Sequence, residues 1–250
     1  MREQPRGSFT HALVTQAILM DRRNYLRSLA AATGVGATGG LAGCLGVLGE
    51  SGPEGTVLGP PERDLSESSH PTYGDEMPDF TVPDPIAEED ISISEFEGER
   101  AVLWTLFYTN CPDGVCPALM LRLRRAQAAA AEDGFADEVA FLPFTFDPEV
   151  DTADVLREYA GRQGVDLDAG NWHFLRPETY EEGQALMDEH FGLVIEKHPA
   201  DDFENLEYQF PHFGLILLAN ENGIVERAYP RGPMTDIERI VTDLKQVVTA

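Results

Sequence analysis

Ala101-Val102-Leu103-Trp104-Thr105-Leu106-Phe107-Tyr108 and the loop behind it, Thr109-Asn110-Cys111-Pro112-Asp113-Gly114-Val115-Cys116-Pro117, decide the fold. The first run is almost continuously apolar and rich in β-branched and aromatic residues, the pattern of a strand buried on both faces. Residues 118–131 then have the composition of a helix, and Gly134 behind Glu132-Asp133 supplies its C-terminal stop. Between the two lies a loop that carries two of the three cysteines. Cys116 falls at the helix N-terminus, and Pro117 suits the first helical position, where its missing N–H costs nothing.

Working outward, strand and helix alternate in both directions. Residues 80–82 and 91–94 predict a small N-terminal hairpin. Residues 139–146 read as a strand in which Pro143 removes one ladder donor and so predicts a bulge or an edge. Residues 152–160 read as a helix capped by Asp151 or Thr152, residues 172–175 as a short strand and residues 178–189 as a helix. Residues 213–219, the turn Asn220-Glu221-Asn222-Gly223 and residues 224–229 form an antiparallel pair, and residues 234–248 a last helix. This order predicts an α/β, thioredoxin-like three-layer sandwich with a central mixed sheet, without internal repeats, over residues 77–250.

The 250 residues carry 44 Asp and Glu against 18 Lys and Arg, a net charge of −26. Phosphate backbones are repelled by such a surface, which argues against nucleic acid as a partner. Lys197 and Lys245 are the only lysines, and the balance resembles that of proteins from salt-loving archaea, where an acidic surface serves solvation in brine. Residues 1–43 reverse the sign, with five Arg and two acidic residues. There Arg22-Arg23-Asn24-Tyr25-Leu26 precedes a weakly apolar, Gly-rich stretch too short and too polar for a spanning helix, a pattern that resembles a Tat signal peptide. The first translated residue is then Met1 or Met20. Leu41-Ala42-Gly43-Cys44 looks like a lipobox, with Cys44 as the lipidated residue. Residues 44–76, poor in apolar side chains, are expected to be a flexible acidic tether. The mature domain is therefore expected outside the cell membrane, lipid-anchored, where thiols can be oxidised and metals exchanged.

A thiol pair at a helix N-terminus has two uses, because the helix end stabilises the thiolate, and the thiolate is both nucleophile and metal ligand. Four residues separate Cys111 from Cys116, against two in thioredoxin-type motifs, and this wider loop suits chelation or a reversible disulfide. His212, in Phe210-Pro211-His212-Phe213, stands immediately before an apolar strand and is expected at a strand mouth beside the thiol loop. His70, His173, His190 and His198 read as structural or solvated. A Cys₂His zinc site is chemically permitted by the same donors. A thiol peroxidase would need an Arg by the thiol; Arg122, Arg124 and Arg125 read instead as a solvated helix face.

These residues resemble the Sco (SenC) family of membrane-tethered, thioredoxin-like copper proteins that serve in assembling the copper centre of cytochrome oxidase. The family's Cys-Pro-x-x-Cys-Pro loop looks like Cys111-Pro112 to Cys116-Pro117, with four residues between the cysteines here against the family's three. Its Asp-Pro-Glu-x-Asp-Thr segment is matched by Asp147-Pro148-Glu149-Val150-Asp151-Thr152, and its distal His by His212, preceded by Pro211 where the family usually has an acidic residue. The resemblance implies copper, Cu(I) or Cu(II), held by Cys111, Cys116 and His212, soft thiolates favouring Cu(I). It implies as partner the copper-bearing subunit of cytochrome c oxidase or its assembly factors. The alternative is a thiol-disulfide oxidoreductase, in which Cys111 and Cys116 act on cysteines of such a partner. Asp147 and Asp151 read as a strand-end turn and a helix cap in preference to outer partners of a metal site.

Overall fold

The computed structural model describes residues 52–200, 203, 206–211 and 213–250. Strand β3 (Ala101–Phe107) lies at its centre with every residue buried. It pairs in parallel with β4 (Val139–Thr145), Ala101 opposite Val139 through Phe107 opposite Thr145. On its other side it pairs antiparallel with β7 (Ile216–Ala219), Val102 opposite Ala219. β8 (Val225–Tyr229) completes the order β4-β3-β7-β8. The mixed sheet is the one expected, and so is the small hairpin of β1 (Thr81–Asp84) and β2 (Glu89–Ser92).

Successive strand residues point to opposite faces, so Trp104 and Phe107 report on the two outer layers. Trp104 stacks on Phe191, the last residue of α3 (Tyr180–Phe191), with ring centroids 4.3 Å apart. Phe80 packs on Phe144 and Phe191 on the same side. Phe107 instead meets Tyr159 of α2 (Ala153–Gln163) at 5.6 Å, and α1 (Val115–Asp133) packs against both α2 and α4 (Ile237–Val248). The sandwich is thus α1, α2 and α4 on one face, with α3 and the hairpin on the other. α1 earns its place through a stripe of Leu119, Leu123, Ala126 and Ala130, three and four residues apart and fully buried. Truncating Leu123 to Ala costs about 3 kcal/mol by the cavity it leaves.

Pro143 lies on β4, an edge of the four-stranded sheet, as its missing donor predicts. Beyond it, Trp172 and Leu175 make only isolated parallel bridges to Phe141 and Phe144. Phe141 N–H and Thr145 N–H donate to the carbonyls of Asn171 and Leu175, at 2.8 and 2.9 Å. Pro143, midway between them, has no N–H to give. The expected strand at residues 172–175 is therefore an interrupted row.

Other boundaries shift for local reasons. α1 starts at Val115, so Pro117 is its third residue and not its first, because the Asp113 carboxylate accepts Val115 N–H and begins the turn early. Thr152, not Asp151, caps α2. The last helix begins at Ile237, after a separate 3₁₀ turn Gly232–Met234. A short antiparallel ribbon, β5 (His198–Pro199) with β6 (Tyr208–Gln209), has no counterpart in the sequence reading.

The largest correction concerns the tether. From residue 52 the chain is laid on the domain: Leu58 is buried, and the backbone N–H groups of Val57 and Leu58 donate to the Glu226 carboxylate at 2.7 and 2.9 Å. Gly74 and Asp75 exchange backbone hydrogen bonds with Val225. This segment is poor in apolar residues because its attachment is made by backbone donors and one buried carboxylate. The expected leader, Cys44 and residues 44–51 lie outside the described residues, among which no helix is long and apolar enough to cross a membrane.

Candidate functional site

β3 delivers the chain into the thiol loop at a point fixed from below. Tyr108 is buried, its ring 5.3 Å from Phe146 and 5.0 Å from Phe210. Thr109 donates its N–H to Asp151 Oδ2 at 3.3 Å and its hydroxyl to Oδ1, and the Thr145 hydroxyl donates to Oδ2. Asp151 therefore ties the start of the loop to the end of β4. Gly114 then turns the chain with φ 81°, a left-handed conformation that favours glycine.

Around that turn the two sulfurs meet. Cys116 N–H, a free donor in the first turn of α1, points at Cys111 Sγ 3.3 Å away. Cys111 Sγ also lies 3.3 Å from Asp113 Oδ1. Both thiols are reduced; Cys111 is partly exposed and Cys116 buried. Hydrogen bonding from the Cys116 thiol, helped by the Cys116 N–H, holds the Cys111 thiol below its ordinary range against burial and Asp113. Burial, followed by the bond to and the charge of Cys111, pushes the Cys116 thiol well above its own. The pair thus favours ionisation of the outer sulfur and retention of the proton on the inner one. A soft cation is the species that could replace that proton and let both sulfurs ionise.

The Asp-Pro-Glu-x-Asp-Thr segment supports the loop rather than lining it. Burial raises the Asp151 carboxyl to about 6 despite the Thr109 and Thr145 donors. Asp147, also raised by burial, accepts the Tyr208 hydroxyl on both oxygens at 2.9 Å. Lys197 Nζ sits 4.6 and 4.5 Å from the ring centroids of Tyr180 and Tyr208 and 2.7 Å from Glu149 Oε2. Together these contacts clamp the β5–β6 ribbon onto the segment.

The structure thus brings Cys111 and Cys116 together, while His212 and Cys44 lie outside the described residues. Of the residues flanking His212, Phe210 packs on Tyr108 and Phe146, and Phe213 lies 6.2 Å from Phe146. Among the described residues no three His, Cys, Asp or Glu side chains converge as a metal site. His70, His173, His190 and His198 contact Pro71, Asp84, Phe80 and Glu196, respectively. Arg122 is spent on the carbonyls of Thr235 and Ala118. Thr109, Tyr208 and Lys197 were not foreseen as site residues; the one available signal was the rarity of lysine.

Residues 72–249 match the family model for SCO1/SenC. Among solved structures, a SCO1/SenC family lipoprotein from Bacillus anthracis str. Ames is 22% identical with a TM-score of 0.56, the match covering 70% of this chain and 95% of that one. Bradyrhizobium japonicum ScoI, solved with copper bound, is 22% identical at a TM-score of 0.55 over 69% of this chain and 99% of that one. BsSco, described as a member of the Sco family of cytochrome c oxidase assembly proteins with a disulfide switch, is 22% identical at a TM-score of 0.56 over 74% and 99%. No curated protein matches the chain in sequence. The fold these neighbours share is the one described above, and the family match spans most of the chain, from the segment before the hairpin to the end of α4: this protein belongs to the SCO1/SenC family.

Proposed function

We propose that the protein is an exported copper metallochaperone, lipid-anchored through Cys44, that delivers copper during assembly of the cytochrome c oxidase copper centre. Cys111 and Cys116 bind the metal as thiolates and His212 completes a three-coordinate site, open enough to pass copper to an oxidase subunit. The observation that carries this reading is the sulfur pair itself, joined by the Cys116 N–H to Cys111 Sγ contact at the N-terminus of α1. Soft thiolates select Cu(I), and an imidazole extends the site to Cu(II). Copper-bound structures of relatives from Bradyrhizobium japonicum and Arabidopsis thaliana support the choice of metal.

The test is anaerobic titration with Cu(I) in competition with a chelator, comparing wild type with Cys111→Ser and His212→Ala. One copper per chain is expected for wild type. At least a hundredfold weaker binding is expected in Cys111→Ser, and a smaller loss in His212→Ala. Equal binding in all three sinks the metal reading.

A second reading, thiol-disulfide exchange on cysteines of an oxidase subunit, is favoured by the inequality of the thiols, a partly exposed Cys111 held below the ordinary thiol range before a buried Cys116 pushed above it. In it the Cys111 thiolate attacks one sulfur of a partner disulfide and expels the other as thiolate. Cys116 then displaces the partner, leaving a Cys111–Cys116 disulfide and two partner thiols. Under this reading iodoacetamide labels Cys111 much faster than Cys116 near neutral pH, and His212→Ala leaves exchange unchanged. Equal labelling rates remove its support.

A further inference from the structure

Against a surface with 44 acidic and 18 basic residues, one cleft of about 170 Å³ gathers four arginines, Arg63, Arg227, Arg231 and Arg239. Glu62 is the one acidic residue that lines it. The nearby Asp243 carboxylate is shared, 3.6 Å from Arg227 and 3.9 Å from Arg239, and it also accepts the Tyr229 hydroxyl at 2.7 Å. Among the described residues Arg63 and Arg231 enter no ion pair. Positive charge is in excess here, the reverse of the molecule as a whole.

The cleft is also built rather than incidental. Arg227 is 12% exposed, lies over the Tyr73 ring at 5.7 Å, and donates Nη1–H to the Glu226 carbonyl at 2.6 Å. Its buried Nε faces the Asp243 carboxylate at 3.6 Å, an ion pair that fixes the guanidinium at the cleft wall. Arg231 stands on a rigid turn, its carbonyl accepting Met234 N–H at 2.8 Å and the Thr235 hydroxyl at 3.0 Å. None of the lining residues belongs to the thiol loop.

We propose that this cleft binds a phosphate-type oxyanion. Guanidinium forks match tetrahedral oxyanions through paired N–H donors, and such contacts survive high salt, where bare charge attraction is screened within a few Å. The space falls below the roughly 300 Å³ at which pockets begin to enclose whole drug-sized molecules, so it takes a free phosphate or a single headgroup. Its edge at Pro61 to Leu65 belongs to the segment that follows Cys44, which makes a phospholipid headgroup the second source of the same chemistry.

Two arms separate the sources, each with the full chain at fixed sodium chloride. In the first, inorganic phosphate is titrated calorimetrically into wild type, Arg231→Ala and Arg63→Ala, both exposed positions whose truncation leaves the core untouched. In the second, the same proteins are sedimented with phosphatidylcholine vesicles, with and without phosphatidic acid. Saturable phosphate binding weakened tenfold or more in Arg231→Ala supports a soluble anion. Added retention on phosphatidic acid vesicles, lost in Arg231→Ala, supports a headgroup. In either case copper titration of the variants stays at the wild-type value. Absence of both phosphate and phosphatidic acid binding in wild type, or binding left unchanged by both Arg231→Ala and Arg63→Ala in both arms, overturns the proposal.

Discussion

Asp151 and Glu226 are both carboxylates with essentially no solvent exposure, placed at opposite ends of the sheet. Asp151 lies past the end of β3, where it takes the N–H and hydroxyl of Thr109 and the hydroxyl of Thr145. Glu226 lies on β8 near the start of β3, where it takes two backbone N–H groups, from Val57 and Leu58, and the Asn220 side-chain amide at 2.6 Å. One carboxylate fixes the entry to the thiol loop, the other fixes the N-terminal segment. Their partners differ in kind: Asp151 is served by one backbone N–H and by two hydroxyls that could turn to each other or to water, Glu226 by amide donors alone. The thiol end is therefore the adjustable end, and the N-terminal attachment the rigid one.

The largest effect is expected where the donors have no alternative. Glu226→Ala strands three of them, and a loss of about 4 kcal/mol follows, with residues 52–60 becoming the first site of protease cleavage. Glu226→Gln, which keeps one acceptor, recovers about half. Chemical denaturation and limited proteolysis measure both, and wild-type stability in Glu226→Ala breaks the contrast between the two ends.

The next effect is a pH dependence. Asp151 titrates at about 6 in the folded chain against an ordinary 3.8, so folding favours its protonated form. The stability it contributes is complete below about pH 4 and is lost as pH rises to about 6, roughly 3 kcal/mol in all. In Asp151→Asn this slope disappears. The quantity to follow is the difference in unfolding free energy between wild type and variant from pH 4 to 7; a flat difference shows that burial does not favour the protonated form of Asp151.

A smaller effect sharpens the picture of the clamp. Tyr208→Phe removes the hydroxyl from Asp147 and costs about 1.5 kcal/mol, while raising the Asp147 carboxyl further, since that donor is the main influence holding it down. Stability measured at pH 5 and pH 8 distinguishes this from simple loss of packing, which is indifferent to pH. Smallest of all is Arg162→Ala, which breaks an exposed pair with Glu158. A change below about 0.5 kcal/mol is expected, and a larger one means that acidic-surface pairing matters more than exposure suggests.

Much of the architecture was legible because it is written in local patterns. The apolar run of β3, the loop with its two thiols, the Gly134 stop and the edge position of Pro143 each follow from a few adjacent residues. Cys111 and Cys116 share that legibility, since a five-residue separation around Asp113-Gly114 leaves little room for them to part. Asp151 was legible as a residue but not in its role: a cap and a buried clamp occupy the same place in the chain, and only the approach of Thr109 from another strand separates them. Thr109, Lys197 and Tyr208 were invisible as a site because their partners stand 42, 48 and 61 residues away.

The amino-acid sequence by itself determined the strand-loop-helix unit, the pairing of two thiols at a helix N-terminus, the mixed sheet and the family, because each depends on hydrophobic period, turn chemistry and short spacing. Only the tertiary structure decided which sulfur ionises more readily, since burial of Cys116 and the aim of its N–H at Cys111 depend on how α1 seats on the sheet. It alone turned residues 52–76 from an expected tether into an attached segment, and it alone gathered Arg63 with Arg227, Arg231 and Arg239 around one cleft. Backbone donors and long-range charge leave no mark on local composition, so their partners are settled only when the chain is folded.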